Sequence, residues 1–155
     1  EIQEELPNIK NFGTLSPIPG FRDWFVNLDE KLVKNILGNI PLENISFLKS
    51  SSLKIGDTRI ISNKSAIYKL VAHYLMNEKN SKQLPINDVC RFHLGNGAII
   101  DDIVINANIS EVGFKRSFGV MVNYLYELKN IEKNHEEYIN KKTTIISNKV
   151  KKLIQ

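Results

Sequence analysis

The feature that most restricts the fold is the segment SPIPG at residues 16–20, because it ends one type of regular structure and starts another. Pro17 cannot donate a ladder hydrogen bond and holds Ser16 in extended geometry, so Ser16 is predicted to end a strand. Pro19 and Gly20 form a turn signal. The chain is therefore predicted to leave a strand through a rigid corner.

The segments on either side of the corner fit this prediction. KNFGTL at residues 10–15 indicates a strand, and FRDWFVNLDEKLVKNIL at residues 21–37 carries apolar side chains at helical spacing, which indicates one helix or two. The hydroxyl of Ser16 is then held at a strand end, where open α/β sheets bind ligands. Ser16 is either a structural turn residue or a ligand contact, and the local sequence by itself favours the turn residue.

The rest of the chain mixes helices and strands without an internal repeat. SAIYKLVAHYLMNEK at residues 65–79 predicts an amphipathic helix capped by Ser65, and residues 98–106 and 119–128 predict two strands. Residues 41–64 are polar and predict a variable loop or a short helical insert. With 155 residues, of which 42% are hydrophobic, the chain has the size of one α+β domain with a real core.

Charge and hydropathy exclude several classes of function. The net charge of +4 comes almost entirely from scattered lysines, which indicate a solvated surface and not a nucleic-acid groove. No apolar run approaches the ~20 residues that a membrane helix needs. Cys90 is the only cysteine, so no cysteine zinc site can form, and a small core side chain is its expected role.

The N-terminus indicates that the chain is part of a longer protein. Residues 1–10 start without methionine and lack the basic and apolar parts of a signal peptide. Their acidic residues and Pro7 indicate the end of a helix that begins upstream. We therefore expect further sequence before the first residue.

A second unusual segment is RFHLGNGA at residues 91–98. His93 is predicted at the end of a short helix with Gly95 as its left-handed cap, and Asn96 with Gly97 as a turn into the next strand. Histidine can both donate and accept a proton near neutral pH. His93 is either satisfied by backbone carbonyls or part of a site, and this segment alone favours the first alternative.

Taken together, several segments resemble the C-terminal catalytic region of the malonyl-CoA decarboxylase family. They occur in the family's order and cover most of the chain: F.TLSPIPGF..W at 12–24, VAHYL..EK at 71–79, RFHLGNGA at 91–98, SEVGFKRSFGVMVNYLY at 110–126 and NHEEYINK at 134–141. Residues 41–64 lie outside the resemblance. The resemblance implies that residues 1–155 are the C-terminal part of a catalytic domain with an α+β fold. That fold is part of a GNAT-like acyltransferase fold, in which a mixed sheet flanked by helices holds coenzyme A.

The resemblance also implies a reaction and its residues. The reaction is decarboxylation of malonyl-CoA to acetyl-CoA and carbon dioxide through an enolate, a lyase step of fatty acid metabolism. Ser16 is implied to orient the malonyl carboxylate, and His93 to polarise the thioester carbonyl and supply or relay the proton. Asn96, Asn123 and Tyr124 fall in matched segments and are candidates for substrate binding, with a turn role for Asn96 and strand packing for the other two as alternatives. No metal or cofactor is implied, because the thioester is the electron sink.

Two other functions stay open on the sequence. A GNAT-like acyltransferase has a similar fold but transfers an acyl group to an amine, and a non-catalytic interaction module needs neither Ser16 nor His93. The implied partners are malonyl-CoA and, through a helical domain outside this chain, further copies of the full-length protein, with no nucleic acid or membrane. The expected location is the cytoplasm or the mitochondrion. If the pair is catalytic, Ser16 and His93 should face one cleft, about 4 to 8 Å apart.

Overall fold

The computed structural model describes residues 10–155, and its three strands form one antiparallel sheet. The strands are β1 (Asn11–Pro17), β2 (Ile99–Val104) and β3 (Met121–Glu127), in the spatial order β1-β3-β2. The α-helices are α1 (Phe21–Val26), α2 (Glu30–Leu37), α3 (Thr58–Ser62), α4 (Lys64–Asn77), α5 (Asp88–Gly95), α6 (Glu111–Ser117), α7 (Ile131–Lys141) and α8 (Asn148–Leu153).

The predicted α+β class, with a sheet flanked by helices, is confirmed. Within residues 10–155 the parallel pairing is limited to one isolated bridge between Ile100 and Ile146, so the described sheet is antiparallel where a mixed sheet was expected. The helix end predicted for the N-terminus lies outside the described residues. No helix of the described part is both long enough and apolar enough to cross a membrane.

The pairing of β1 with β3 decides which side chains share a face of the sheet. The face that packs against the helices carries alternate residues of the two strands: Phe12, Thr14 and Ser16 on β1 opposite Tyr126, Tyr124 and Val122 on β3. The intervening residues, among them Leu15 and Asn123, lie on the other face. The hydroxyls of Thr14 and Ser16 therefore belong to the same surface.

The strand runs to Pro17, one residue beyond the predicted end at Ser16, and the predicted corner that follows is held from two sides. Gly20 has a φ of 87°, in the left-handed region that glycine adopts without strain, and α1 starts directly after it. The backbone carbonyl of Pro19 accepts hydrogen bonds from the Tyr74 hydroxyl at 3.4 Å and from the Asn87 side-chain amide at 3.0 Å. These contacts fix the end of β1 against α4 and the start of α5.

Helix α4 lies in the centre of the core. Its predicted apolar stripe is buried: Ile67, Leu70, Val71, Tyr74 and Leu75. The predicted cap at Ser65 is wrong, because Ser65 lies inside the helix and Asn63 precedes it without a capping side-chain bond. Helix α3 runs directly into α4, with the backbone N–H of Asn63 donating to the Arg59 carbonyl at 3.0 Å. The preceding helix, and not a side chain, thus sets the start of α4.

The segment 41–64 adopts the second of its two predicted forms, a short helical insert. It contains two 3₁₀ turns, Leu42–Asn44 and Ser46–Lys49, followed by α3. Its apolar side chains contact the main core: Ile45, Phe47, Leu48 and Ile60 are buried there. The insert therefore contributes side chains to the hydrophobic core.

Helix α5 is terminated at Gly97 and not at the predicted cap, Gly95. Gly95 is the last helical residue, whereas Gly97 has a φ of 89°. The backbone N–H of Ala98 donates to the His93 carbonyl at 3.1 Å, and the Asn134 side chain donates to the Gly97 carbonyl at 3.2 Å. This turn joins α5 to β2 and leaves His93 in the last turn of the helix.

Candidate active site

Ser16 and His93 meet where β1 ends and α5 turns back toward the sheet. Ser16 Oγ lies 3.1 Å from His93 Nε2, although the two residues are 77 positions apart in sequence. Both side chains are buried, with 7% and 9% of their surfaces exposed. The separation is shorter than the 4 to 8 Å expected and is that of a hydrogen bond. The two residues singled out from unrelated segments therefore form one contact.

The second ring nitrogen of His93 is also hydrogen-bonded. His93 Nδ1 lies 2.6 Å from the Tyr126 hydroxyl. The Tyr126 ring is held in turn by Phe12, with the two rings stacked at a centroid distance of 4.7 Å and 6° between their planes. Sequence reasoning missed Tyr126. The available signal was its position in β3, two residues after Tyr124 and so on the same face.

Tyr124 lies under the His93 ring and is fully buried. The two rings stack with centroids 4.4 Å apart and 21° between their planes. Burial raises the pKa of the Tyr124 hydroxyl well above its usual value, and this hydroxyl has no hydrogen-bond partner among the described residues. Tyr124 therefore packs against the His93 ring, which agrees with the packing alternative more than with contact to a substrate.

A cleft of ≈ 1060 Å³ is lined by His93 and Tyr126, whereas Ser16 and Tyr124 do not line it. Its walls include three aromatic and three polar side chains: Phe12, Phe92, Tyr126, Thr14, His93 and Asn96. Asn96 is exposed at the end of α5 and lines the cleft, and its role in substrate binding stays a prediction. Asn123 does not take part, because the strand register places it on the opposite face of the sheet, beside Gly13.

Thr14 also lines this cleft, but its hydroxyl is not exposed in it. Its Oγ1 is buried, and no hydrogen-bond partner lies near it in residues 10–155. Leaving such a group unpaired costs about 1–3 kcal/mol. Thr14 was not selected from the sequence, because a threonine in a strand is ordinary and nothing local distinguishes it.

Burial sets the protonation states of the site. It lowers the pKa of His93 below the usual 6.5, and it raises the pKa of Tyr126 above the usual 10.0. Both groups are therefore neutral at pH 7. Within the described residues no carboxylate is hydrogen-bonded to the His93 ring, so the arrangement differs from a serine–histidine–aspartate triad.

The described part of the chain supports neither a cysteine nucleophile nor a metal centre. Cys90 is buried, and burial raises the pKa of its thiol to about 12, so the thiolate that a nucleophile needs is not populated near pH 7. Residues 10–155 contain no group of three or more histidine, cysteine, aspartate or glutamate side chains positioned to hold a metal ion.

Known proteins share this sequence and architecture. The family model of the malonyl-CoA decarboxylase C-terminal domain matches residues 1–155. Mitochondrial malonyl-CoA decarboxylase of Anser anser anser is 31% identical over 92% of this chain, and that of Mus musculus is 30% identical over 99%. Crystal structures of malonyl-CoA decarboxylase match as well: that from Rhodopseudomonas palustris at 33% identity and a TM-score of 0.80, and that from Cupriavidus metallidurans at 32% identity and 0.77, each over 98% of this chain.

The match covers only part of each relative. The chain spans 32% of the Anser anser anser protein and 35% of the Mus musculus protein. It spans 35% and 40% of the two crystallised bacterial chains. The Ser16–His93 contact thus lies in a region that corresponds to about a third of the curated relatives' length.

Proposed function

Because the chain belongs to the malonyl-CoA decarboxylase family, we propose that its full-length protein converts malonyl-CoA to acetyl-CoA and carbon dioxide, with Ser16 and His93 as the catalytic pair. Residues 1–155 then form the C-terminal part of the catalytic domain. The observation that carries this proposal is the 3.1 Å contact between Ser16 Oγ and His93 Nε2 beside an open cleft.

The reaction needs an electron sink and a proton. The bond between the α-carbon and the carboxylate breaks, its electron pair moves into the thioester as an enolate, and carbon dioxide leaves. One proton then adds to the α-carbon and gives the methyl group of acetyl-CoA. The thioester carbonyl accepts the electrons, so the protein has to supply donors at that oxygen and a proton at that carbon.

His93 performs both tasks in this proposal. With the Tyr126 hydroxyl donating to Nδ1, the single proton of the neutral ring resides on Nε2. Nε2–H polarises the thioester carbonyl and then passes its proton to the enolate carbon, while the Tyr126 proton moves to Nδ1. A proton from solvent in the cleft then adds to Nε2, and the Nδ1 proton returns to the Tyr126 phenolate, which restores the starting state.

Ser16 orients the carboxylate that leaves. Its hydroxyl donates to a carboxylate oxygen, and the rigid corner after β1 keeps that hydroxyl in place without further ordering when substrate binds. Asn96, exposed on the cleft wall, is a substrate contact at the mouth of the site.

The test of this function is release of carbon dioxide without an acyl acceptor. We expect the full-length protein to produce labelled carbon dioxide and acetyl-CoA in equal amounts from malonyl-CoA labelled in the free carboxylate, with no amine present. A GNAT-like acyltransferase would release coenzyme A only when an amine acceptor is added and would leave the label in the acyl group. Either that pattern or the absence of turnover contradicts the proposal.

The lowered pKa of His93 predicts where the rate falls on acidification. The neutral ring is the active form, and burial keeps it neutral to a pH below 6.5. We expect the fall of kcat/KM on the acid side to have its midpoint below pH 6.5. The measurement is a pH–rate profile of decarboxylation. His73→Gln is the matched control, because His73 stacks on Trp24 away from the cleft, and this variant should leave the profile unchanged. A midpoint above 6.5 contradicts the assignment to a buried neutral histidine.

A further inference from the structure

The sheet face that carries Ser16 offers the substrate a second hydroxyl, that of Thr14. Thr14 precedes Ser16 by two residues in β1, so the two side chains point in the same direction about 6.5–7 Å apart. Thr14 lies opposite Tyr124 in β3, and Tyr124 stacks on the His93 ring. Thr14 is therefore placed beside the catalytic ring.

The side chain of Thr14 forms part of the cleft wall, but its hydroxyl makes no hydrogen bond in the empty site. Thr14 lines the cleft, and its Oγ1 is without a hydrogen-bond partner in residues 10–155. Because Oγ1 is buried, it reaches the cleft only after rotation by about 120° about χ1 into another staggered position. Valine has the same shape and would avoid the unpaired hydroxyl altogether. A hydrogen-bond acceptor on the bound substrate explains why this position carries threonine and not valine.

We propose that Thr14 donates a hydrogen bond to the thioester carbonyl oxygen and, with His93, stabilises the enolate. This inference rests on the proposed function. It follows from the order of side chains along β1: Ser16 at the buried end, Thr14 in the middle, and Phe12 next, stacked on Tyr126. An acyl chain laid along this strand with its carboxylate at Ser16 places its carbonyl near Thr14 and its thioester arm on the aromatic surface of Phe12 and Tyr126.

The proposal is tested by Thr14→Val in the full-length protein. A donor to an oxygen that gains charge in the transition state contributes about 10²–10³ in rate, so kcat for decarboxylation should fall by about 10² or more with little change in KM. The thermal unfolding midpoint should stay the same or rise, because an unpaired hydroxyl is removed. Thr14→Ser keeps the hydroxyl and should retain most of the rate.

Tyr138→Phe is the matched control for Thr14→Val. It also removes a buried hydroxyl that has no partner among the described residues, but Tyr138 lies on α7 outside the cleft wall. Its kcat should equal that of the unmodified protein. If Tyr138→Phe and Thr14→Val lose the same activity, the loss reports general packing and the proposal is overturned.

A second assay separates the carbonyl from the carboxylate as the partner of Thr14. In deuterium oxide, the unmodified protein should exchange the methyl hydrogens of acetyl-CoA through the same enolate, and acetyl-CoA has no free carboxylate. Thr14→Val should lose this exchange in proportion to kcat. Normal exchange with slow decarboxylation would assign Thr14 to the carboxylate and overturn the proposal.

The two proposals fail in different ways. An unmodified protein that releases no carbon dioxide from malonyl-CoA refutes the proposed function, and the role of Thr14 fails with it. An active unmodified protein together with a fully active Thr14→Val variant refutes the role of Thr14 alone.

Discussion

Replacement of His93 by asparagine in the full-length protein is expected to lower kcat for malonyl-CoA decarboxylation by about 10²-fold or more, with little change in KM. Asparagine fits the space and keeps part of the hydrogen bonding, but it can neither carry nor relay a proton at neutral pH. Binding of the coenzyme portion of the substrate does not depend on that proton. The loss should therefore appear in kcat, measured by steady-state release of labelled carbon dioxide.

The coupling between His93 and Ser16 provides a second readout of the same prediction. Ser16→Ala should also lower kcat, and the double variant should be hardly slower than His93→Asn alone, because residues that act as a unit are not additive. His73→Gln is the control for the loss of a histidine. A parallel decline of the unfolding midpoint and of kcat in both single variants would instead assign a structural role to the pair.

The second large effect is expected at Gly97, where a change to alanine should destabilise the folded protein by about 3 kcal/mol. The φ of 89° is unfavourable for any side chain by about 1–2 kcal/mol. A Cβ would also lie 2.5 Å from the Ile131 carbonyl oxygen, a backbone atom that can yield only if α7 moves. Such overpacking adds about 1–3 kcal/mol. The measurement is the thermal unfolding midpoint.

Gly95→Ala is the matched control for Gly97→Ala, two residues away on the same helix end. Gly95 is helical, and the nearest atom to an added Cβ is Tyr138 Cε2 at 4.0 Å, an ordinary contact. Alanine favours a helix over glycine by up to about 1 kcal/mol, so Gly95→Ala should be neutral or stabilising. Equal midpoints for the two variants would show that the Gly97 turn does not constrain the end of α5.

The site combines groups that the fold holds at fixed distances from one another. His93 is hydrogen-bonded at both ring nitrogens, stacked on Tyr124 and located in the last turn of a helix that Gly97 ends. Ser16 comes from a strand end fixed by contacts to the Pro19 carbonyl. A change in any of these supports is expected to act through the position of the ring, since small displacements of reacting groups have large effects on rate.

Local physics was enough to predict several parts of this protein from the sequence. The SPIPG corner follows from the fixed geometry of proline and the freedom of glycine, and both are properties of one or two residues. The buried stripe of α4 follows from helical spacing. The resemblance of separate segments to a known family singled out Ser16 and His93, which the structure places 3.1 Å apart.

Only the tertiary structure decided which of the other side chains share a surface with this pair. Asn123, Tyr124 and Tyr126 lie within one strand, and the register of β3 against β1 puts Asn123 on the far face, Tyr124 beneath the His93 ring and Tyr126 on its Nδ1. Because side chains alternate along a strand, a shift of one residue in that register would exchange the two faces. The register depends on contacts between residues more than a hundred positions apart, and no local pattern in the sequence records them.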